Sequence, residues 1–337
     1  MENNLKRKLG HSGIEVSAMG LGCWAIGGPT NLQSLPLGWG KVEDAESIRA
    51  LEKGIEMGIN FIDTADVYGA GHSEKLISQV IKGRRDKLVI ATKFGMGYNP
   101  QTKEAVLGIK VTPEYTRKAL ESSLARLKTD YIDLYQLHIA NLNLEAAGLI
   151  RDTLEDLVQE GKIRGYGWST DDEERAAFFA DGDNCIAVQH ELNVFVGNKK
   201  ILKLCKNRKL ASINRGPLAM GVLTGKYNNQ SIVPEDDCRS IVHLLGDEYY
   251  MFFEEGKPKS ALLKKLEAIG EILRSDGRTL AQGALSWIWG KNKRTIPIPG
   301  FKTVKQVEEN AGALQFGPLT ESQMAEIKSI LKKELVH

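Results

Sequence analysis

The sequence predicts an α/β fold, a single (β/α)8 or TIM barrel, with extra helices and long loops at the face where the strands end. Two observations lead to this fold class. Strand-like and helix-like segments alternate along all 337 residues, with about eight strands, and right-handed crossovers between parallel strands require that order. Several apolar strands also run directly into ionisable side chains, as barrel strands do at their carboxyl ends.

The first half of the chain contributes four strands, predicted at residues 16–26, 61–65, 88–92 and 131–137. One helix is predicted at 44–57 with Asp44 as its cap, and another at 73–81. A third helix begins at Pro113, because Thr112 is a good cap residue and proline suits the first helical position.

The second half of the chain repeats this alternation. Strands are predicted at 163–168, 186–190, 210–213 and 294–298, and helices at 144–159, 199–207, 260–273, 280–289, 303–313 and 320–335. A further helix ends near Ala180 and is capped by Asp171 or Asp172. The segment 227–258 has no clear period, and loops of this length are usually functional lids or disordered.

An open Rossmann sheet is the alternative fold. That fold would place a G-x-G-x-x-G motif between the first strand and the first helix. The glycines between Gly20 and Gly28 do not follow that order, which favours the barrel. The sequence shows no internal repeat, low-complexity tract or linker, so we expect one domain over residues 1–337.

Composition excludes several classes of function. Hydrophobic residues make up 42% and charged residues 26% of the chain, as in soluble globular proteins. The net charge of +2 provides no broad field for nucleic acid or an anionic membrane. The four cysteines lack metal-ligand spacing, so we expect no metal site. No signal peptide and no apolar run of about 18 residues is present, which makes the cytoplasm the expected location.

Four ionisable residues follow three neighbouring strands. The stretch 61–69 contains Asp63 and Tyr68, Lys93 follows strand 88–92, and His138 follows strand 131–137. Singly, each has an ordinary structural explanation, such as a buried ion pair or a packed ring. Because the carboxyl ends of barrel strands meet at one mouth, the four together indicate a proton-transfer site.

With these strand ends in order, the sequence resembles the aldo-keto reductase superfamily, in particular bacterial NADPH-dependent members related to potassium channel β-subunits. The likeness runs from about Leu9 to Leu314. The motifs that carry it are, in order, Gly20–Trp24, Asp63–Gly69, Thr92–Gly95, Leu137–His138, Gly167–Ser169, Gln189–Asn193, Gly216–Ala219, Gly221–Tyr227 and Ile298–Asn310.

The resemblance implies a catalytic tetrad of Asp63, Tyr68, Lys93 and His138. Tyr68 would be the general acid of carbonyl reduction. The pKa of a free tyrosine is about 10, and we expect the Lys93 ammonium to lower it by stabilising the phenolate. Asp63 would hold Lys93 charged and oriented, and His138 would hydrogen-bond the substrate oxygen.

The resemblance also implies NADPH or NADP+ as cofactor. Ser169 and Gln189 would pair with the nicotinamide carboxamide, and Lys226 would add a positive charge at the pyrophosphate. Lys302 would meet the 2′-phosphate, and the helix beginning near Thr303 would offer free N–H groups to a phosphate. The full implied set is Cys23, Trp24 (these two chiefly through their backbone), Asp63, Ser169, Thr170, Gln189, Arg215, Gly216, Pro217, Leu218, Ala219, Gly221, Lys226, Gly300, Lys302, Gln306, Glu309 and Asn310.

The sequence departs from the family pattern at two places. Many members carry an aspartate where Asn141 stands. Many also carry an aromatic that stacks on the nicotinamide where Arg215 stands. A stacked guanidinium would disfavour cationic NADP+ relative to NADPH. The alternative is that Arg215 points to the pyrophosphate or to an acidic partner.

Three functions fit this reading. The leading one is NADPH-dependent reduction of aldehydes or ketones, and the second is the reverse reaction of an NADP-linked sugar or polyol dehydrogenase. Both act on a small-molecule carbonyl or alcohol. The third is a cofactor-binding regulatory subunit, and His138 argues against it because the potassium channel β-subunits carry asparagine there. Substrate contacts are expected from the loops 28–40, 95–110 and 227–258.

Overall fold

The structure is a computed structural model that describes residues 5–106, 108, 110–244 and 251–333. Eight parallel strands form one sheet whose neighbours follow chain order. An N–H···O bond of 3.1 Å from Gly22 to Pro299 and a parallel bridge from Gly22 to Gly300 join the first strand to the last. The predicted (β/α)8 barrel is therefore confirmed. Barrel strands 1 to 8 are Gly20–Gly22, Phe61–Asp63, Val89–Phe94, Leu134–Leu137, Tyr166–Ser169, Cys185–Glu191, Ala211–Arg215 and Thr295–Pro297.

Helices cover the outside of the barrel. In the described part of the chain, strand 7 and strand 8 are each followed by two α-helices, which accounts for the predicted extra helices. The helices are α1 Asp44–Glu56, α2 His72–Ile81, α3 Pro113–Leu127, α4 Leu144–Gln159, α5 Glu173–Phe179, α6 Lys199–Asn207, α7 Ser260–Arg274, α8 Leu280–Lys291, α9 Val304–Gly312 and α10 Glu321–Lys333. The C-terminal end predicted for α10, up to residue 335, lies outside the described residues.

The helix caps explain where several helices begin. Thr112 caps α3 as predicted, because its hydroxyl accepts a hydrogen bond of 3.2 Å from the Tyr115 N–H. Glu43, not Asp44, is the cap residue of α1, and Asp44 lies in the first turn. Asp172 caps α5. Asp171, the other predicted candidate, points elsewhere and takes part in the site described below.

A hairpin closes the bottom of the barrel. Strand Lys6–Lys8 pairs antiparallel with Glu15–Ser17. Leu9, Ile14 and Val16 are buried against the residues at which the barrel strands begin, among them Phe61, Val89, Leu134 and Ile186. The barrel interior is therefore filled and sealed at the amino-terminal ends of its strands, which leaves the opposite end for ligands.

The loops at the top of the barrel are more structured than their sequence indicates. The loop 95–110 contains a hairpin that pairs with the loop 28–40. The segment 227–258 holds two single-turn helices and a short strand pair, although residues 245–250 lie outside the described part. Trp39 forms an isolated β-bridge with Asp237, so the two loops meet across the mouth.

Two further features bear on function. Within the described ranges, no helix is both long and apolar enough to cross a membrane. In the same residues, no group of three or more His, Cys, Asp or Glu side chains is placed to hold a metal ion. All four cysteines are buried free thiols.

Candidate active site

A buried ion pair lies at the centre of the mouth. The Lys93 ammonium donates to Asp63 Oδ1 at 2.5 Å and to the Thr64 carbonyl at 2.9 Å. Lys93 is fully buried and Asp63 is nearly so. Burial favours the neutral amine, but Asp63 and then Tyr68 outweigh it, so the pKa of Lys93 is raised above its ordinary value. Lys93 is therefore a fixed cation in the absence of any ligand.

Tyr68 stands beside this pair on the loop that follows strand 2. Its hydroxyl lies 3.3 Å from Lys93 Nζ, as predicted for members of one site. A close backbone approach positions the loop. A Cβ on Gly27 would lie 2.7 Å from the Tyr68 carbonyl carbon, and one on Gly69, which has φ +62, would lie 2.0 Å from the Gly27 oxygen. Both positions therefore require glycine.

The expected lowering of the Tyr68 pKa is wrong as a net effect. Burial raises the pKa of Tyr68, Lys93 opposes that rise, and Asp63 reinforces it, so the pKa lies above 10. The reason is that burial penalises the charged phenolate more than Lys93 stabilises it, and Asp63 offsets part of that stabilisation. Tyr68 is thus protonated in the resting protein.

His138 meets Tyr68 edge to face, with ring centroids 5.9 Å apart. Burial, then Lys93 and Arg215, hold the pKa of His138 well below 6.5, so the imidazole is neutral. Its Nδ1 is buried without a hydrogen-bond partner among the described residues.

Two glutamines complete the surroundings of Asp63. Gln189 Nε2 donates to Asp63 Oδ2 at 2.8 Å and to Gln136 Oε1 at 3.2 Å. Gln136 Nε2 donates to the same Asp63 oxygen at 3.1 Å. Both amide hydrogens of Gln189 are thereby used, which leaves its carbonyl oxygen to accept a bond from a ligand. Sequence reasoning did not identify Gln136.

Several other implied cofactor residues already have partners. Ser169 is buried at the end of strand 5. The Thr170 hydroxyl donates to the Ala140 carbonyl at 2.8 Å. The Cys23 N–H donates to the Asp63 carbonyl at 2.9 Å, and the Cys23 carbonyl accepts from Ser73 at 3.0 Å. The Cys23 N–H is therefore occupied, and its carbonyl oxygen keeps one acceptor position, since a carbonyl has two lone pairs.

Trp24 contributes its ring to the mouth. It stacks on Tyr68 with centroids 6.0 Å apart and meets Trp39 edge to face at 5.3 Å. Trp39 belongs to the loop 28–40, one of the loops from which substrate contacts were expected. The two indoles form an apolar wall beside the Tyr68 hydroxyl, suited to the non-reacting part of a small ligand.

Arg215 ends strand 7 between two carboxylates. Its Nη1 donates to Glu191 Oε2 at 2.7 Å, and its Nη2 donates to Asp171 Oδ2. Asn193 holds the other Glu191 oxygen at 2.9 Å. Of the two alternatives for Arg215, the acidic partner is the one found. Sequence reasoning missed Asp171 and Glu191 as site residues.

The loop after Arg215 has an unusual backbone. Gly216, Ala219, Met220 and Gly221 have positive φ values of 57°, 49°, 52° and 96°. Left-handed conformations at non-glycine residues are strained and cluster at ligand sites. Lys226 bends back over this loop, since a Cβ on Gly221 would lie 3.5 Å from its Nζ. Pro217 and Leu218, also in the implied set, belong to the same loop.

Positive charge gathers beside this loop. Burial, then Arg239, lowers the pKa of Lys226, and Lys302 adds to the effect. Arg239 is buried and paired with Asp237 at 2.6 Å. Two lysines therefore remain close together beside a neutralised pair, as expected for an anion site. Arg239 is a fourth residue that the sequence analysis did not identify.

The adenosine end differs from expectation. The Lys302 ammonium donates to the Trp39 carbonyl. Two of the N–H groups at the start of α9 are bonded, because Val304 N–H donates to Glu46 at 2.9 Å and Gln306 N–H donates to Thr303 at 3.3 Å. The expectation of free N–H groups is wrong for these two positions. The remaining members of the implied set here are the exposed Gly300, Gln306, the half-buried Glu309 and the buried Asn310.

A (β/α)8 barrel with Asp, Tyr, Lys and His side chains together at its mouth has the arrangement of a barrel enzyme, whose active site lies at that face. The chain belongs to the aldo/keto reductase family, whose family model matches residues 18–332. It is 31% identical to the aldo-keto reductase yakc of Schizosaccharomyces pombe, whose name carries NADP(+), with 96% of this chain and 90% of that protein covered. It is 29% identical to the oxidoreductase YqkF of Bacillus subtilis, covering 98% of this chain and 97% of that protein.

Solved structures agree with this assignment. A glycerol dehydrogenase from Gluconobacter oxydans superposes with a TM-score of 0.82 at 26% identity, covering 100% of this chain and 98% of that one. An aldo/keto reductase from Klebsiella pneumoniae, solved with NADP and acetate, has a TM-score of 0.67 at 25% identity, covering 97% and 95%. The protein is thus a member of an oxidoreductase family.

Proposed function

We propose that the protein is an NADP(H)-dependent reductase that converts aldehydes or ketones to alcohols, with Tyr68 as the general acid. The observation that carries the proposal is the protonated Tyr68 hydroxyl, 3.3 Å from a fixed ammonium and beside a neutral imidazole. A carbonyl oxygen placed between Tyr68 and His138 would accept hydrogen bonds from both. Donors aimed at the developing alkoxide favour reduction.

Each member of the tetrad has a separate task in this proposal. Tyr68 donates its proton to the carbonyl oxygen, and Lys93 stabilises the phenolate left behind. Asp63 keeps the ammonium in place. Because His138 is neutral, it orients the substrate by donating from Nε2 and does not act as a charged acid.

The residues of the mouth fit a nicotinamide dinucleotide. When bound, that group would supply the hydride that reaches the carbonyl carbon. The free oxygen of Gln189 would accept from its carboxamide, and the strained loop 216–225 with Lys226 would hold its pyrophosphate. Lys302 would exchange the Trp39 carbonyl for the 2′-phosphate. The NADP-bound relative from Klebsiella supports this choice of cofactor.

Alcohol oxidation is the second candidate, because a glycerol dehydrogenase superposes well on this chain. The same residues would run in reverse, with Tyr68 accepting the alcohol proton. A purely regulatory role is less well supported, since a binding subunit does not need all four members of the tetrad.

A turnover assay tests the proposal. Purified protein is mixed with NADPH and a panel of small aldehydes and ketones, and loss of the reduced nicotinamide absorbance is followed. In parallel, NADP+ is offered with small polyols. Turnover of aldehydes above the polyol rate supports the reductase, the opposite ranking supports the dehydrogenase, and cofactor binding without turnover of either kind would contradict both.

A further inference from the structure

Asp171, Arg215 and Glu191 form a unit at the ends of strands 5, 6 and 7, which we call the Arg215 clamp. The guanidinium lies between the two carboxylates. The Asp171 side chain also accepts a hydrogen bond of 2.8 Å from the Glu191 N–H through Oδ1. Neither acid is needed by the tetrad, and no step of the proposed mechanism uses them.

The clamp is built tightly around Glu191. Only 5% of Glu191 is exposed, and Asn193 donates to its Oε1 at 2.9 Å. A Cβ on Gly216 would lie 2.0 Å from that same oxygen, so the residue after Arg215 must be glycine for the carboxylate to fit. Glu191 is therefore a nearly buried carboxylate that its hydrogen-bond partners hold in a fixed position at the mouth.

The sum of charges in the clamp is negative. One guanidinium faces two carboxylates, which leaves a net charge of one negative unit when both acids are ionised. The net charge of the clamp is therefore opposite in sign to the charge of Arg215 alone. The clamp also lies close to the reaction centre, because Glu191 is two residues beyond Gln189 on strand 6, and the Gln189 amide donates to Asp63 at 2.8 Å. In agreement with this position, Arg215 contributes to lowering the pKa of His138.

We infer that the Arg215 clamp favours the oxidised, cationic nicotinamide over the reduced, neutral ring, and that Glu191 sets this preference. The inference rests on the proposed function, which places the nicotinamide beside Tyr68 and His138. It reverses the expectation for a lone stacked guanidinium, since a net negative wall attracts the cationic ring. A unit charge acting over about 8 Å, at an effective dielectric of about 20–80, changes an affinity about two- to thirtyfold.

The charge on the clamp depends on pH. Burial raises the pKa of Glu191 to about 7, although Arg215 opposes the rise. The other groups around Glu191 keep their state near neutrality. Arg215 stays charged, Asn193 does not titrate, and burial lowers the pKa of His190 to about 4. Asp171 is partly exposed and pairs with Arg215. Raising the pH through 7 therefore adds one negative charge beside the ring.

Calorimetric titration of NADPH and of NADP+ tests the inference, using wild type, Glu191→Gln and Asp171→Asn from about pH 6 to about pH 8.5. The measured quantity is the ratio of the NADP+ to the NADPH dissociation constant. Ionisation of the cofactor phosphates cancels in this ratio, because both forms carry the same phosphates. Glu155→Gln is the matched control, since Glu155 is a half-buried carboxylate that bonds Tyr166 and Asn184 away from the mouth.

In wild type the ratio should fall about two- to thirtyfold as the pH rises. Glu191→Gln should abolish the pH dependence and keep the ratio at its low-pH value, while Glu155→Gln follows wild type. Asp171→Asn should raise the ratio throughout, and this decides the matter if Glu191→Gln does not fold. Equal weakening of both redox forms, or a pH-independent wild-type ratio, would overturn the inference. Failure of wild type to bind either form would overturn the proposed function instead.

Discussion

Tyr68 and Lys93 show how pairing determines the chemistry of single side chains. Asp63, paired with the Lys93 ammonium at 2.5 Å, offsets part of its effect on the phenol, and burial of the phenol outweighs the rest. The phenol next to it therefore keeps its proton at rest and is stabilised as phenolate only after the proton has left. A buried ion pair of this kind fixes geometry more than it adds stability, because desolvation offsets much of the attraction.

We predict that Tyr68→Phe removes most carbonyl reduction and leaves NADPH binding nearly intact. Loss of a general acid typically costs about 10²–10⁴-fold in rate. The measurement is kcat/KM with the best aldehyde, together with a fluorescence titration of NADPH. Tyr131→Phe is the control, because that tyrosine lies at the other end of strand 4 under Arg85. Retention of more than about a tenth of wild-type kcat/KM in Tyr68→Phe would refute the role.

The raised pKa of Tyr68 gives a second prediction. A general acid works while it is protonated, so a pKa above 10 extends activity to higher pH. Single-turnover reduction rates should stay level from about pH 8, above the Glu191 titration, to about pH 10. A decline that begins well below pH 10 would show that Lys93 lowers the pKa of Tyr68 after all.

The tetrad and the Arg215 clamp differ in whether the sequence alone could predict their residues as part of the site. The tetrad could be predicted because each member follows an apolar strand, and the ends of parallel strands meet. The Arg215 clamp could not, because its acids belong to different strands and Asp171 could equally have capped a helix. Gln136 was hidden for the same reason, since its amide gains meaning only through contacts with Asp63 and Gln189.

At the scale of helices and strands, contacts with residues distant in the sequence determine element boundaries that local sequence patterns do not determine. The caps of α3 and α5 follow local rules that the sequence displays. At the start of α9 the Thr303 cap is equally local, but the first N–H donates to Glu46 from α1, a contact that no local rule predicts. Strand 4 was predicted from residue 131 but begins at Leu134, since Ile132 forms only an isolated bridge with Ile163.

Lys302 connects α9 to the loop 28–40 and gives a prediction at this scale. Lys302→Ala should weaken NADPH binding about 10–150-fold and affect NADH much less, because only NADPH offers a 2′-phosphate for a charge-assisted contact. Titration of both cofactors measures the effect. Lys305→Ala, which removes an exposed lysine from the first turn of α9, should leave both affinities unchanged. Equal affinity of wild type for NADPH and NADH would contradict this role for Lys302.

At the scale of the whole molecule, closure of the barrel depends on the contact between strand 1 and strand 8, which we call the seam. The predicted strand count was sufficient to identify the barrel, but closure depends on a single backbone approach at Gly22. A Cβ there would lie 2.4 Å from the Ile298 oxygen. No local pattern distinguishes this glycine from the others nearby, so the sequence could not identify it.

Gly22→Ala should therefore lower the free energy of unfolding by about 1–3 kcal/mol, as overpacking does. Gly148→Ala is the matched control. Gly148 lies within α4 and its new methyl would make only an ordinary contact of 3.5 Å with Phe178, so this change should stabilise by about 0.5–1 kcal/mol. Denaturant unfolding measures the free energy of unfolding of both variants. A Gly22→Ala protein as stable as wild type would show that strands 1 and 8 can adjust at the seam without loss of stability.

The hairpin closes the bottom of the barrel, so ligands enter the interior from the top, at the mouth. Everything that enters must leave through the same opening. Under the proposed function the nicotinamide has to reach Gln189, which is buried, whereas the half-buried Tyr68 and His138 lie nearer the opening. An aldehyde that arrived first would obstruct the nucleotide. We therefore expect ordered binding, in which the nucleotide binds first and dissociates last. Excess aldehyde should slow turnover, because it would trap the oxidised nucleotide beneath it.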